Sequence, residues 1–180
     1  KDIDCKVVVT NYINGNATYL SVKKYGWQKT MKATGSLPIA TRGYCEIAGK
    51  KYIDGDLADP LPIKRVYDWG YKNIILLRTH VNEVKTDWNI ESLYAPFFYR
   101  NNPELQKLIL RNDKIYARQI KYIVNPPKDL NIIQIIPDTE LECGIIANKI
   151  EHIQMDYRYG IEKGMDAIHK LQKFSDNLSS

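Results

Sequence analysis

One short segment, residues 49–65, concentrates the side chains that could do chemistry. There an apolar, β-prone run ends in Asp54-Gly55, and a turn rich in aspartate and proline leads into a helix start. Strand ends followed by turns and helix starts are where α/β proteins place binding and catalytic groups. An aspartate held there can act as a general base, and the glycine beside it lets the backbone of a substrate or partner come close. The other interpretation of Asp54 is a turn residue that caps backbone N–H groups.

Two further aspartates, Asp56 and Asp59, follow Asp54 in the same turn. Carboxylates on such loops can bind Mg²⁺ or Ca²⁺. However, the spacing lacks the glycine and the distal glutamate of an EF-hand loop. We therefore expect neither a metal nor a cofactor here, and we interpret Asp59, which precedes Pro60, as a turn or capping residue.

Length and composition describe an ordinary globular chain. Its 180 residues suffice for one domain with a real core, and 44% are hydrophobic while 26% are charged. The formal net charge is +5, but the basic residues are spread out and cluster only in pairs such as Lys23-Lys24. This pattern indicates a solvated surface and not a nucleic-acid groove. A weak attraction to anionic lipid stays open.

The cysteines and the apolar runs favour a cytoplasmic protein. Cys5, Cys45 and Cys143 are widely spaced and form no CxxC pattern, which fits a reducing compartment. No apolar run approaches the roughly 18 residues needed to span a bilayer, so membrane contact is expected only at the periphery. The chain begins with Lys1 and enters an apolar strand almost at once, which suggests a piece cut from a larger protein.

The first third of the chain is predicted to form two β-hairpins. Asn14-Gly15 is a strong hairpin turn signal between two β-prone runs. A second, shorter hairpin is predicted around Gly49-Lys50. The four predicted strands cover residues 6–12, 18–22, 44–48 and 51–54.

The rest of the chain is predicted to be mainly helical, with two further strands. A helix begins at Pro62 and stops at Gly70, and the apolar run of residues 73–79 predicts a strand buried on both faces. Pro103 begins a long helix that reaches about residue 123. Residues 131–136 form the last strand. Other helices are predicted over 89–100 and over 145–178, the latter with an apolar stripe from Tyr157 to Phe174.

Taken in order, several stretches resemble the C-terminal part of a patatin-like phospholipase, and more closely the bacterial members of that family. Each stretch is a weak signal alone, but the ordered set is specific and covers nearly the whole chain. The matching stretches are residues 7–15, 33–38, 52–62, 70–77, 111–116 and 157–164.

The resemblance implies a three-layer α/β/α fold, with residues 1–180 forming the C-terminal portion of one domain and a helical region from about 89 to 180. It also implies a serine–aspartate dyad, in which Asp54 matches the dyad aspartate and Gly55 permits the tight turn. Asp56 departs from the motif, because the family has Gly or Ala there. The chain has no Gly-x-Ser-x-Gly elbow and no glycine-rich oxyanion loop, and Pro38 excludes Gly35-Ser36 from that role.

The resemblance therefore predicts a lipid acyl hydrolase whose nucleophile and oxyanion hole lie outside these 180 residues. The isolated chain is expected to lack esterase activity, because a base achieves nothing without an attacking oxygen and oxyanion donors. Expected partners are an acyl-ester lipid and either a second copy or the remaining N-terminal part. The alternative is a divergent, non-catalytic member that binds lipid or protein.

Overall fold

The computed structural model describes residues 3–37, 43–81, 99–143 and 149–179, and it mixes helices and strands as an α/β protein. The strands are β1 (Lys6–Asn11), β2 (Ala17–Ser21), β3 (Cys45–Ile47), β4 (Lys50–Asp54), β5 (Asn73–Leu77) and β6 (Asn131–Ile135). The helices are α1 (Val22–Tyr25), α2 (Trp27–Thr34), α3 (Ile63–Asp68), α4 (Pro103–Ile109), α5 (Asn112–Val124) and α6 (Ile150–Ser179). A 3-10 turn covers Gly55–Leu57.

The chain divides into two compact units, and the first comprises residues 1–62 and 84–122. Its centre is a four-stranded antiparallel sheet in the order β2-β1-β4-β3. Both predicted hairpins are confirmed, since β1 pairs with β2 and β3 with β4. The second turn lies one residue earlier than predicted. Ala48 and Gly49 both have positive φ, at 50° and 72°, as a two-residue hairpin turn requires.

Both faces of this sheet are covered within the first unit. Successive residues of a strand point to opposite faces, and Tyr52 and Ile53 of β4 accordingly enter two different cores. The Ile53 core uses the 3-10 turn and α4, whereas the Tyr52 core uses α2. Their buried members are Ile53, Leu57, Tyr99, Leu105 and Ile109 in the first core, and Val9, Leu20, Ala33, Ile47 and Tyr52 in the second.

The second unit comprises residues 63–83 and 123–180. Gly70, with φ 95°, follows α3 as predicted, and β5 then pairs in parallel with β6. The prediction that this strand is buried on both faces is wrong. Ile74 and Leu76 are buried, whereas Ile75 and Leu77 are 54% and 71% exposed, because only one face of β5 is packed in the part of the chain that the structure describes.

The helical predictions differ from the structure at two places. The helices α1 and α2 lie between the two hairpins, where no helix was predicted. One helix was expected from Pro103 to about residue 123, but α4 ends at Ile109 and α5 begins at Asn112. Ile109 and Tyr116, one on each side of the break, are both buried. The apolar pattern therefore continues from α4 into α5 and does not reveal the break between them. The helix predicted over 89–100 falls almost entirely outside the described residues. The assignment of 1–180 to one patatin-like domain stays a prediction.

Candidate functional site

Asp54 is the last residue of β4, and its backbone is held from both sides. In the sheet register it lies opposite Val9 of β1. Its N–H donates to the carbonyl oxygen of Ser36 at 3.1 Å, and its own carbonyl oxygen accepts from Thr10 Oγ1 at 2.6 Å. Thr10 and Ser36 are both buried. The main chain at Asp54 is therefore fixed by two segments distant in sequence.

The Asp54 carboxylate caps the 3-10 turn that follows it. Its Oδ1 accepts a hydrogen bond from the Asp56 N–H at 2.9 Å, and the side chain is half-buried. Capping is one of the two roles that the sequence leaves open for this residue. A carboxylate offers about four lone-pair positions, so capping and proton transfer are compatible uses of the same side chain, and the cap fixes its orientation.

Gly55 is required by space and not by an unusual backbone conformation. A Cβ added at Gly55 would lie 2.3 Å from the carbonyl oxygen of Val8 and 2.6 Å from its carbonyl carbon. Both atoms are backbone, so no rotamer change can relieve the contact. The sequence suggests that this glycine makes room for the backbone of a substrate or partner, but the backbone that lies against it is that of β1 in the same chain.

The turn is also held from the other side by Asn112, the first residue of α5. Its Nδ2 donates to the carbonyl oxygen of Asp56 at 2.7 Å and to that of Leu57 at 3.2 Å. The Asn112 side chain is almost fully buried, at 2% exposure, whereas the Asp56 side chain is exposed. A buried amide that satisfies two carbonyl groups stabilises this turn, because leaving such groups unpaired costs about 1–3 kcal/mol.

A second polar contact network lies at Asp59, where the turn ends. The Asp59 carboxylate accepts hydrogen bonds from the Tyr19 hydroxyl and from Gln119 Nε2. Gln119 Oε1 in turn accepts from the Leu61 N–H at 2.9 Å. Asp59 was expected to be a turn or capping residue, and it is a turn residue whose N–H donates to the Gly55 carbonyl oxygen at 3.0 Å. Its carboxylate joins the turn to β2 and α5.

Sequence reasoning missed Tyr19, Asn112 and Gln119. A usable signal exists for the two amides, since they lie seven residues apart in α5, on the same helical stripe as the buried Tyr116 and Ile123. A polar residue in an apolar stripe needs a buried partner. Which carbonyl or carboxylate it meets depends on tertiary contacts that the pattern does not contain.

The pKa of Tyr52, in the strand that leads into the turn, is shifted from its ordinary value. Burial raises the pKa of Tyr52, with a smaller effect from Tyr25, so this phenol carries no charge at neutral pH.

No group of three His, Cys, Asp or Glu side chains lies close enough to bind a metal ion among residues 3–37, 43–81, 99–143 and 149–179. Within those same ranges no helix has the length and apolarity to cross a bilayer.

Two similarities to known proteins were found. Residues 102–176 match a family model described as a domain of unknown function, DUF6363. The chain is also 22% identical over 151 residues to the uncharacterized protein YjjU of Escherichia coli strain K12. That alignment covers 79% of this chain and 40% of YjjU, so the chain spans less than half the length of this relative. No solved structure matches the chain.

Proposed function

We propose that this chain belongs to a lipid acyl hydrolase of the patatin-like type, with Asp54 as the base of a serine–aspartate dyad. The observation that carries the proposal is the fixation of Asp54 at the end of a strand. Its main chain bonds to Ser36 and Thr10, and its carboxylate bonds to the N–H of Asp56. The segment with this geometry is also the segment that resembles the family's Asp-Gly motif.

In this mechanism a serine from outside these 180 residues attacks the acyl carbonyl. Asp54 accepts the serine proton and returns it to the leaving alkoxide, after which water repeats the sequence on the acyl-enzyme. A base positioned in this way contributes about 10²–10⁴-fold to the rate. In this proposal the groups that donate hydrogen bonds to the oxyanion also lie outside these 180 residues. The substrate would be an acyl ester at a membrane surface facing the cytoplasm.

The substitution Asp54→Asn distinguishes the proposed role of Asp54 as a base from its role as a cap. Asparagine caps a turn as well as aspartate does, so the variant should fold normally while losing its proton acceptor. In the whole protein we expect kcat on a short-chain nitrophenyl ester to fall by about 10²–10⁴-fold, with an unchanged melting temperature. Asp54→Ala should lose both activity and stability. Asp59→Asn is the matched control and should retain activity, because its one carbonyl oxygen can still accept from Gln119 while its NH₂ group can donate to the Tyr19 hydroxyl oxygen.

One observation favours the non-catalytic alternative, in which the whole protein only binds lipid or protein. The bond from the Asp56 N–H to Asp54 Oδ1 is by itself a sufficient structural reason for an aspartate at this position. A folded whole protein that hydrolyses no acyl ester would support this alternative. If the whole protein is active and Asp54→Asn leaves its hydrolysis rate unchanged, the cap is the only role of Asp54 and the proposed dyad is wrong. The 180-residue chain by itself is expected to show no turnover. Clear ester hydrolysis by the pure chain would contradict the proposal that the serine and the oxyanion donors lie outside these residues.

A further inference from the structure

Helix α6 uses one face to pack within its own unit. Asp156 accepts hydrogen bonds from the backbone N–H groups of Glu142 and Cys143 at 3.0 Å and 2.8 Å. The Tyr159 hydroxyl accepts from the Asp138 N–H at 2.6 Å. Ala167, further along the same face, is 5% exposed. This face is therefore already occupied.

The opposite face of α6 is apolar and exposed. At about 100° per residue, six large side chains fall within one band of roughly a third of the helix circumference, and each is about half exposed or more. We call them the α6 stripe: Ile150, Ile153, Tyr157, Ile161, Met165 and Ile168. Contiguous apolar patches of about 300–600 Å² on a monomer usually mark interaction sites.

Two glycines lie along this stripe. Gly160 and Gly164 are exposed, and an added Cβ at either position would meet nothing within 4 Å. A glycine inside a helix costs about 0.5–1 kcal/mol relative to alanine, and no contact within the described chain explains this cost. Small residues four apart let a second helix approach the backbone closely.

We propose that two copies of this chain pair through the α6 stripe, with their α6 helices antiparallel. A two-fold axis midway between Gly160 and Ile161 makes the stripe self-complementary, as a symmetric interface requires. It places Tyr157 opposite the partner's Gly164, and Ile161 opposite the partner's Gly160. Toward the ends, Ile153 meets the partner's Ile168. Large side chains thus face the two glycines at the centre and each other outside it.

Charges beside the stripe obey the same symmetry. The antiparallel arrangement brings Arg158 near the partner's Glu162, and Glu151 near the partner's His169, and all four side chains are exposed. In a parallel pair, a residue on one side of the stripe faces the other side of the partner's stripe, so Arg158 and Glu162, which lie on the same side, would not meet. Lipid is the poorer occupant, because α6 carries five acidic and four basic residues, whereas helices that lie on anionic membranes are rich in Lys and Arg.

The test is sedimentation equilibrium of the 180-residue chain under reducing conditions, which exclude disulfide-linked pairs. The proposed contact uses one helix of each copy, so the wild-type chain should dimerise reversibly as its concentration rises. Ile161→Glu should give monomers at every concentration. Met155→Glu, on an exposed side of α6 outside the stripe, is the matched control and should dimerise like the wild type. A wild type that is monomeric throughout, or one whose dimer survives Ile161→Glu, would overturn the proposal.

A charge exchange tests the antiparallel register. Arg158→Glu and Glu162→Arg should each weaken the dimer about tenfold, because each affects two symmetric pairs. The double variant should restore the wild-type dissociation constant. Absence of rescue would refute the register. Gly164→Leu tests whether a lost dimer could result from a misfolded helix. Leucine favours the helix, but its side chain blocks the close approach of the partner's α6. This variant should raise helicity in circular dichroism and abolish the dimer, whereas a retained dimer would count against the pairing.

Discussion

Two kinds of glycine distinguish the Asp54 turn from helix α6. Gly55 already touches a neighbour, since the backbone of Val8 occupies the place where its Cβ would be. At Gly160 and Gly164, by contrast, an added Cβ would meet no atom of a neighbouring segment within 4 Å. The first glycine belongs to a region whose contacts are complete, and the other two belong to a surface that lacks a partner. The contrast indicates that the Asp54 turn is shaped to hold a side chain, whereas α6 is shaped to receive another molecule.

The largest expected difference between the two regions concerns truncation of an apolar side chain. Leu105 is fully buried beside the Asp54 turn, so Leu105→Ala should lower the free energy of unfolding by about 2–5 kcal/mol. Ile161→Ala, in the exposed α6 stripe, should change it by no more than about 0.5 kcal/mol. Urea denaturation at a concentration where the protein is monomeric measures both. Similar losses would mean that the α6 stripe is covered within the chain.

Exchange of glycine for alanine should change stability in opposite directions. Gly55→Ala places a methyl group against the backbone of Val8 and should cost about 1–3 kcal/mol or more. Gly160→Ala should stabilise the monomer by about 0.5–1 kcal/mol, because the helical backbone is less costly to order. Thermal denaturation of the dilute protein shows the two signs directly. A stabilising Gly55→Ala would contradict the close approach of β1.

A smaller loss is expected when the amide that clamps the turn is removed. Asn112→Ala abolishes the bonds to the carbonyl groups of Asp56 and Leu57 and should cost about 1–2 kcal/mol. Asn131→Ala is the control, because its amide bonds to Asn73 at an exposed site and should cost almost nothing. If the whole protein is the proposed acyl hydrolase, Asn112→Ala should also lower its kcat more than it changes its KM. Equal stability of the two variants would argue against the clamp.

The smallest effect is a pH dependence near the packed face of α6. Burial acts to raise the pKa of Asp156, but hydrogen bonds from the Cys143 thiol and from the N–H groups of Glu142 and Cys143 outweigh it, so the pKa lies below the ordinary 3.8. A carboxyl with a lowered folded pKa stabilises the fold above its unfolded pKa, and this contribution disappears as the pH falls through the folded pKa.

The amide resonances of Glu142 and Cys143 report this titration in NMR spectra recorded from pH 6 down to 2.5. We expect the midpoint of their shift change to lie below 3.8. Asp156→Asn should remove that change. A midpoint at or above 3.8 would show that these hydrogen bonds do not form in solution.

Much of the fold could be predicted from the sequence because the decisive signals are local. Asn14-Gly15 marks the first hairpin, and Gly70 marks the helix stop before β5, where the structure has them. The exposed face of β5 could not be predicted, because a continuous apolar run looks the same whether one face or both faces are covered. The break between α4 and α5 is hidden for a related reason, since both helices keep the same apolar period.

The candidate site was predictable in part. The strand-to-turn step at Asp54-Gly55 is a local pattern, and it drew attention to the residue whose carboxylate caps the turn. The clamp by Asn112 and the network through Tyr19 and Gln119 join segments about 40 to 60 residues apart. Such contacts depend on how helices and sheet meet, which no spacing along the chain specifies.

The chain passes between its two compact units more than once, which limits how the protein can be cut into fragments and how its gene can be recombined. Residues 63–83 and 123–180 belong to one unit, while the intervening 84–122 return to the other, so the parallel partners β5 and β6 come from separate stretches. The region 102–176 that matches the family model includes α4 and most of α5 from one unit, and β6 with most of α6 from the other. Neither unit can be excised as a single continuous peptide, and recombination within the gene would have to carry both together.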